Sequence, residues 1–179
     1  MTPQRADAAR SRVRILEVAR ECDPADLRLN EVARRAGLGV GTVYRHFPTV
    51  HALVEAVVAT DLERYRDLAR RAAAEPDPAR ALESLVRDGL AMQLEDGGLQ
   101  SVLLATEDAS AEVAALKREL EAVAETVVAA AREAGVVRAD LTTARLQRLV
   151  CGVEHAVRIG GDDREFFVDA LLAGLRPQH

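Results

Sequence analysis

Leu29-Asn30-Glu31-Val32-Ala33-Arg34-Arg35-Ala36-Gly37-Leu38-Gly39-Val40-Gly41-Thr42-Val43-Tyr44-Arg45-His46-Phe47-Pro48 is the stretch whose reading decides this chain. Leu29 to Ala36 reads as a short helix with Val32, Ala33 and Ala36 turned inward. Gly37 stops it as a residue able to take a left-handed backbone, and Leu38-Gly39 makes the turn. Val40 to Phe47 is a second short helix, closed by Pro48. Two short helices joined by a three-residue turn with glycine form a helix-turn-helix. Ala33 must be small where the helices touch, and Val32, Leu38 and Val43 fill the small core beneath the turn. The second helix then stands proud of the body. A helix about 10 Å across fits a major groove about 12 Å wide.

The exposed side of that second helix has chemistry suited to DNA. Gly39 and Gly41 let the backbone approach closely, and Thr42 can hydrogen-bond a phosphate or a base edge. Tyr44 offers a hydroxyl to phosphate, Arg45 and His46 add donors, and Val40 can touch a thymine methyl. The competing reading is a helical hairpin inside a bundle, with Tyr44 and Phe47 as core.

Outward from this stretch, helical periodicity runs almost throughout. Ala8 to about Glu21 carries Val13, Leu16 and Ala19 toward one side with Ile15 beside them, and Asp23-Pro24-Ala25-Asp26 breaks it. Thr49 caps a long helix over 50–74 that buries Leu53, Val57, Val58, Leu62, Tyr65, Leu68 and Ala72. After the Glu75-Pro76-Asp77-Pro78 break come a helix near 79–95, a Gly97-Gly98 turn and a short helix near 99–106. Ser110 caps a long helix to about Ala134, stopped by Gly135. Thr142 or Thr143 starts another, to about Ile159. Gly160-Gly161-Asp162 turns the chain, and Asp163 caps a last helix ending at Leu175. The expectation is an all-α fold of about nine helices.

Composition agrees. Of 179 residues, 49% are hydrophobic, 30% charged and only 3% aromatic, with 33 Ala, 23 Arg and a single lysine, Lys117. That is a helix composition and excludes a β-sandwich or barrel. The net charge of −5 is uneven. Residues 1–50 hold nine Arg and six acids, while 51–179 hold fifteen basic and twenty-three acidic residues. A cationic head on an acidic chain points to a polyanion meeting the head alone. Cys22 and Cys151 form no CxxC pair and read as reduced thiols. With no apolar run of about 20 residues and no apolar leader, a cytoplasmic protein without membrane contact is expected.

Nothing catalytic stands out. The chain has no GxSxG, HExxH, P-loop or GxGxxG. His46, His51, His155 and His179 do not cluster with cysteine at metal spacing, and Asp162-Asp163-Glu165 reads as a helix cap with acids in the first turn rather than a cation site. No enzymatic activity, cofactor or metal is expected.

Ala33-x-x-Ala36-Gly37-x-Gly39-x-Gly41-Thr42-Val43-Tyr44-x-His46-Phe47-Pro48, followed by Leu53 and Val57 and preceded by Ile15-Leu16-x-x-Ala19, resembles the N-terminal domain of the TetR/AcrR family of bacterial transcriptional repressors. The resemblance is specific over about residues 10–60. Beyond them it lies in length, helix count and a C-terminal helix pair ending Gly174-Leu175-Arg176. It implies a homodimer offering one helix-turn-helix to each half of an inverted repeat in double-stranded DNA, released when an unidentified small-molecule effector binds. It implies a DNA-binding domain at 1–49 and a regulatory, ligand-binding and dimerisation domain at 50–179, with helix 50–74 connecting. Tyr44 falls on the phosphate-contacting tyrosine of the motif. Thr42, Val40 and Gly41 fall on base- or backbone-contacting positions, and Arg45 and His46 on the end of the recognition helix.

There are two departures. Where the family has Thr or Ser capping helix 2, this chain has Arg28, which cannot cap but can reach a phosphate; Asn30 would cap instead and shorten the helix. Where the family has a basic residue two after the proline, this chain has Val50, leaving Thr49 and the free amides of that helix start. Arg5, Arg10, Arg12 and Arg14 are either further phosphate contacts or a solvated arm.

In the C-terminal half, the last two helices carry Leu146, Leu149, Val150, Val153, Val157, Phe166, Phe167, Ala170 and Leu171, more apolar surface than one packing face needs. Paired with their two-fold mates they make a four-helix bundle. Met92, Leu103, Val123, Val127 and Cys151 are candidate apolar lining for an effector pocket, with Gln93, Gln100, Glu154 and His155 as polar anchors, though each also serves as an ordinary structural residue. The alternative function is a helical protein-interaction module that does not bind DNA.

Overall fold

Nine helices form among the described residues, with no strand: α1 (Pro3–Arg20), α2 (Leu29–Ala36), α3 (Val40–His46), α4 (Val50–Ala73), α5 (Pro78–Glu95), α6 (Gly97–Leu104), α7 (Ala111–Glu133), α8 (Thr143–Gly160) and α9 (Arg164–Gly174). The structure is a computed structural model that describes residues 3–24, 26–160 and 163–177. The expected turn at Gly161-Asp162, the Asp162 carboxylate, His179 and the Arg5 side chain lie outside the described residues. The chain divides into two compact units, Met1–Thr60 with Gly97–Val113, and Asp61–Asp96 with Ala114–His179.

In the first unit, α1, α2 and α3 pack on one another. Ile15 and Ala19 are fully buried one helical turn apart, while Val13 is 55% exposed and Leu16 only half-buried. The inward stripe of α1 is thus centred on Ile15, not on the expected Val13-Leu16-Ala19 line. Val32, Ala33, Ala36 and Val43 are fully buried, as the spacing requires, and Leu29 joins them. Gly37 has φ 64°, and the Gly37 and Leu38 amides donate to the Arg34 and Ala33 carbonyls, which ends α2 cleanly. Thr49 caps α4, its Oγ1 accepting from the Ala52 amide at 3.0 Å.

The first unit also holds a buried acid that the spacing did not reveal. Glu55 on α4 is 1% exposed. Its Oε1 accepts from the Ala109 amide at 2.7 Å and lies 2.9 Å from His51 Nε2. That nitrogen is also 3.0 Å from the Glu107 carbonyl oxygen, so both its neighbours are acceptors and it carries the proton. The second carboxylate oxygen of Glu55 is buried with no hydrogen-bond partner. Gly97 and Gly98 form the first turn of α6 instead of a turn before it, because Asp96, in an extended conformation, already breaks the chain after α5.

In the second unit, α5, α8 and α9 pack on one another around Leu85, Val86, Leu90, Leu146, Val150 and Val168. Asp77 caps α5 with Pro78 at its first turn, and Gly135 at φ 67° closes α7. Thr142 Oγ1 accepts from the Arg145 amide, making Thr142 the cap of α8. Asp163 makes no side-chain cap at α9; its ψ of 20° is not the extended geometry that aims a carboxylate at the helix amides. The junction is held instead by Arg87, which reaches Glu83 at 2.8 Å, Glu165 at 2.7 Å and Asp169 at 2.5 Å. Hydrogen bonds to Glu83 and then Asp169 raise the Arg87 guanidinium further above its usual range.

Candidate nucleic-acid interface

The seven residues of α3 owe their shape to two constraints. Gly37 and Gly39 turn the chain, and Val43 and Phe47 sink into the head at 0% and 2% exposure. With those two side chains inward, Val40 and Tyr44 are forced outward, at 45% and 46% exposed. Gly41 and Arg45 are exposed too, and Thr42 and His46 are half-buried. The competing reading of Tyr44 and Phe47 as core is therefore half right: Phe47 is core and Tyr44 is not.

Gly41 is informative through what does not surround it. A Cβ at this position meets nothing within 4 Å, and no positive φ requires a glycine. A glycine in a helix costs up to about 1 kcal/mol relative to alanine. Nothing within the described residues compensates for that cost, so the open space faces outward. Arg45 folds back along α3, its Nε donating to the Gly41 carbonyl at 3.1 Å.

Arg28 stands at the N-cap position of α2 without a side-chain cap, and its Nη1 donates to the Leu27 carbonyl at 3.0 Å. Asn30 is the second residue of α2 and exposed, so it neither caps nor shortens the helix. Thr49 is exposed at the start of α4. One residue of α1 reaches the C-terminal end of α3. The Arg12 guanidinium lies 4.8 Å from the centre of the Phe47 ring, and the His46 ring lies 6.3 Å from that ring.

The candidate effector residues fall in both units. Gln100 and Leu103 are half-buried on α6, in the first unit. In the second unit, Val123 is half-buried on α7, Met92 and Val127 are buried, and His155 is exposed on α8. Gln93, Cys151 and Glu154 do converge. The fully buried Gln93 donates from Nε2 to the Tyr65 hydroxyl at 3.4 Å and accepts from the Cys151 thiol at 3.6 Å. Gln147 donates to the Cys151 sulfur at 3.2 Å. Glu154, 1% exposed, pairs with Arg158, which also donates to the Gln93 and Leu94 carbonyls at the C-terminal end of α5. Tyr65 was expected only as packing; burial pushes its phenol up to about 12. A separate cleft of about 400 Å³ is lined by Leu141, Arg145, Leu149, Ala170 and Leu171, among others, and by none of the candidate effector residues.

Of the candidate dimer residues, Leu146 and Val150 are consumed by the chain's own core. Leu149 and Phe166 are 44% and 69% exposed, Ala170 is exposed, and Val153, Val157, Phe167 and Leu171 are half-buried. No helix among the described residues is long and apolar enough to cross a membrane, and no group of three His, Cys, Asp or Glu is placed to hold a metal.

Comparison with known proteins adds to this geometry. Residues 15–57 match the family described as bacterial regulatory proteins, tetR family, and residues 77–177 match the family described as transcriptional regulator SbtR-like, C-terminal domain. A TetR transcription regulatory protein from Mycobacterium vanbaalenii is 37% identical over 98% of this chain and 100% of its own, with a TM-score of 0.51. The TetR regulator SCO0520 from Streptomyces coelicolor is 28% identical over 94% and 99%, with a TM-score of 0.54. AibR, crystallised with isovaleryl coenzyme A and operator DNA, shares the fold at 16% identity, with a TM-score of 0.65 over 94% and 100%. No curated protein matches the chain.

Proposed function

The chain belongs to the TetR family of bacterial transcriptional regulators, and from that membership we propose that it is a ligand-responsive repressor that binds a palindromic operator as a homodimer. The observation that carries this reading is α3: it presents Val40 and Tyr44 outward, with an uncovered glycine and the half-buried Thr42 between them. Such a helix offers an apolar contact for a thymine methyl, hydroxyls for phosphate or base edges, and a place where the backbone can come close to the duplex. Arg45, His46, Gly39, Arg28, Asn30 and Thr49 supply the flanking donors.

In this reading residues 1–49 read DNA, and 50–179 bind the effector and the second subunit. The unused apolar surface of α8 and α9, with Phe166 and Leu149 most exposed, is the dimer face. The polar cluster of Gln93, Cys151, Glu154 and Tyr65 supplies fixed donors and acceptors inside the effector-binding half. The protein acts by binding, without catalysis, and its DNA partner places it in the cytoplasm.

A gel-shift with the DNA upstream of the protein's own gene tests the first half of the proposal. Salt-sensitive binding to an inverted repeat is expected, because phosphate contacts release counterions. A protein that retards no duplex at low salt refutes it. Thermal-shift screening tests the second half: an effector raises the melting temperature and lowers DNA affinity together. Acyl-coenzyme A thioesters, present in the structures of AibR and of FadR from Bacillus subtilis, open the screen.

A further inference from the structure

The nine arginines of residues 1–50 are not equally available. Arg10 pairs with Asp7, Arg34 with Glu31 at 2.5 Å, and Arg35 with Glu21 at 2.6 Å. The Arg34 guanidinium holds the Glu31 carboxyl below its usual range, so that pair stays ionised. Arg45 and Arg28 each donate to a backbone carbonyl. Arg14 lies against Gly37, where a Cβ would come 3.4 Å from its Nη2, at the carbonyl end of α2. Arg12 differs from all of these. No carboxylate among the described residues pairs with it, its side chain is exposed, and its guanidinium stacks over Phe47.

Phe47 is a rigid support for that stack. It is 2% exposed, and its amide closes α3 by donating to the Val43 carbonyl at 2.8 Å. An exposed cation over an aromatic ring is attracted by the ring's quadrupole and held there. A free arginine side chain carries much rotamer entropy, part of which this contact removes in advance. The contact is a cation–π one, and no carboxylate among the described residues takes up the N–H donors of the guanidinium. The result is a pre-oriented, un-neutralised fork beside the C-terminal end of the recognition helix, and a planar fork matches two oxygens of a phosphodiester.

We propose that Arg12 is a DNA-backbone contact: it grips a phosphate of the duplex that α3 enters, with Phe47 as its platform. The proposal rests on the reading of α3 as the DNA-reading helix and adds a residue of α1 to it. Arg10, Arg34 and Arg35 would have to give up a carboxylate to do the same work. Lysine at this position would keep the charge but not the planar stack or the bidentate fork.

The test uses the full-length protein and a duplex that it enriches from a random-sequence pool, with affinity read by fluorescence anisotropy across a salt series. Arg12→Gln is expected to weaken binding about tenfold and to flatten the slope of log affinity against log salt by about one, the signature of one lost phosphate contact. Arg12→Lys recovers the slope but not the full affinity. Arg80→Gln removes the same charge from the second unit, where Arg80 is only loosely paired with Asp77 at 3.8 Å, and leaves the slope as in the parent. Helical content and melting temperature of Arg12→Gln match the parent, since the side chain is exposed. If Arg12→Gln keeps the parent slope and affinity while Tyr44→Ala loses binding, Arg12 is a solvated surface cation and the inference fails alone. If the parent enriches no duplex at all, the DNA reading falls and takes this inference with it.

Discussion

A Cβ on residue 89 would lie 2.6 Å from the hydroxyl oxygen of Tyr65, so Gly89 of α5 is the space into which Tyr65 of α4 fits. The ring edge follows closely, at 3.0 and 3.1 Å. Both residues are buried, and the hydroxyl placed there is the one that meets Gln93.

Gly89→Ala should therefore destabilise the protein by about 1–3 kcal/mol, although alanine is the better helix former. Tyr65→Phe removes the atom of closest approach. The double variant should recover part of the loss, giving a coupling well outside additivity. Chemical denaturation of the four proteins measures the cycle. An additive result would mean that the two side chains do not compete for one space.

Burial raises the Tyr65 phenol from 10 to about 12. The unfolded chain releases this proton first, so the stabilisation is fully present below pH 10 and is lost as the pH rises toward and through about 12. Over that window the loss is roughly 3 kcal/mol. Denaturation at pH 8 and above 10 should show the parent losing more stability with alkali than Tyr65→Phe does.

Gly37 and Gly41, four residues apart, should respond in opposite ways. Gly37→Ala is strained whatever the space around it, because φ is 64°, and should lose about 1 kcal/mol of stability. Gly41→Ala meets no atom of the chain and should leave stability unchanged or raise it by up to about 1 kcal/mol. Only its affinity for DNA should fall. Melting curves and anisotropy on the same preparations separate the effects; full DNA affinity in Gly41→Ala would show that the duplex does not approach there.

Phe166→Glu and Leu149→Arg change side chains that are 69% and 44% exposed, so the helices of each subunit should survive. Sedimentation should nevertheless shift from dimer to monomer, and operator affinity should fall with it. A dimer that persists in both variants would move the interface off this face.

Thr42→Ala and Tyr44→Ala should each weaken operator binding by about tenfold, or about 1.4 kcal/mol, without altering the oligomer. Parent-like binding in both would overturn the contact assignment on α3.

The head was legible because its determinants are local. Gly37, Ala33 and Val43 act within a few residues of one another, and the requirements for a tight turn and a close helix contact name their residue types. Local sequence is silent where a neighbour distant in the chain, or a backbone angle, decides the outcome. Glu55 is buried because Ala109, 54 positions on, supplies its amide. Gln93 is buried between Tyr65, 28 positions before, and Cys151, 58 positions after. Asp163 has the composition of a cap but not its torsions. Val13 and Ile15 both suit a core, and only the position of the packed helices chooses Ile15.

The Glu55 carboxylate also limits how the DNA-reading half can be borrowed. Cutting the chain after Thr60 would take away the amide of Ala109 and leave the Glu55 carboxyl with His51 as its one remaining donor, at a cost of about 1–3 kcal/mol. A transplant of this reader onto another sensor must carry Gly97–Val113 with it, spliced from two separate stretches of gene, or replace Glu55 by an apolar residue first.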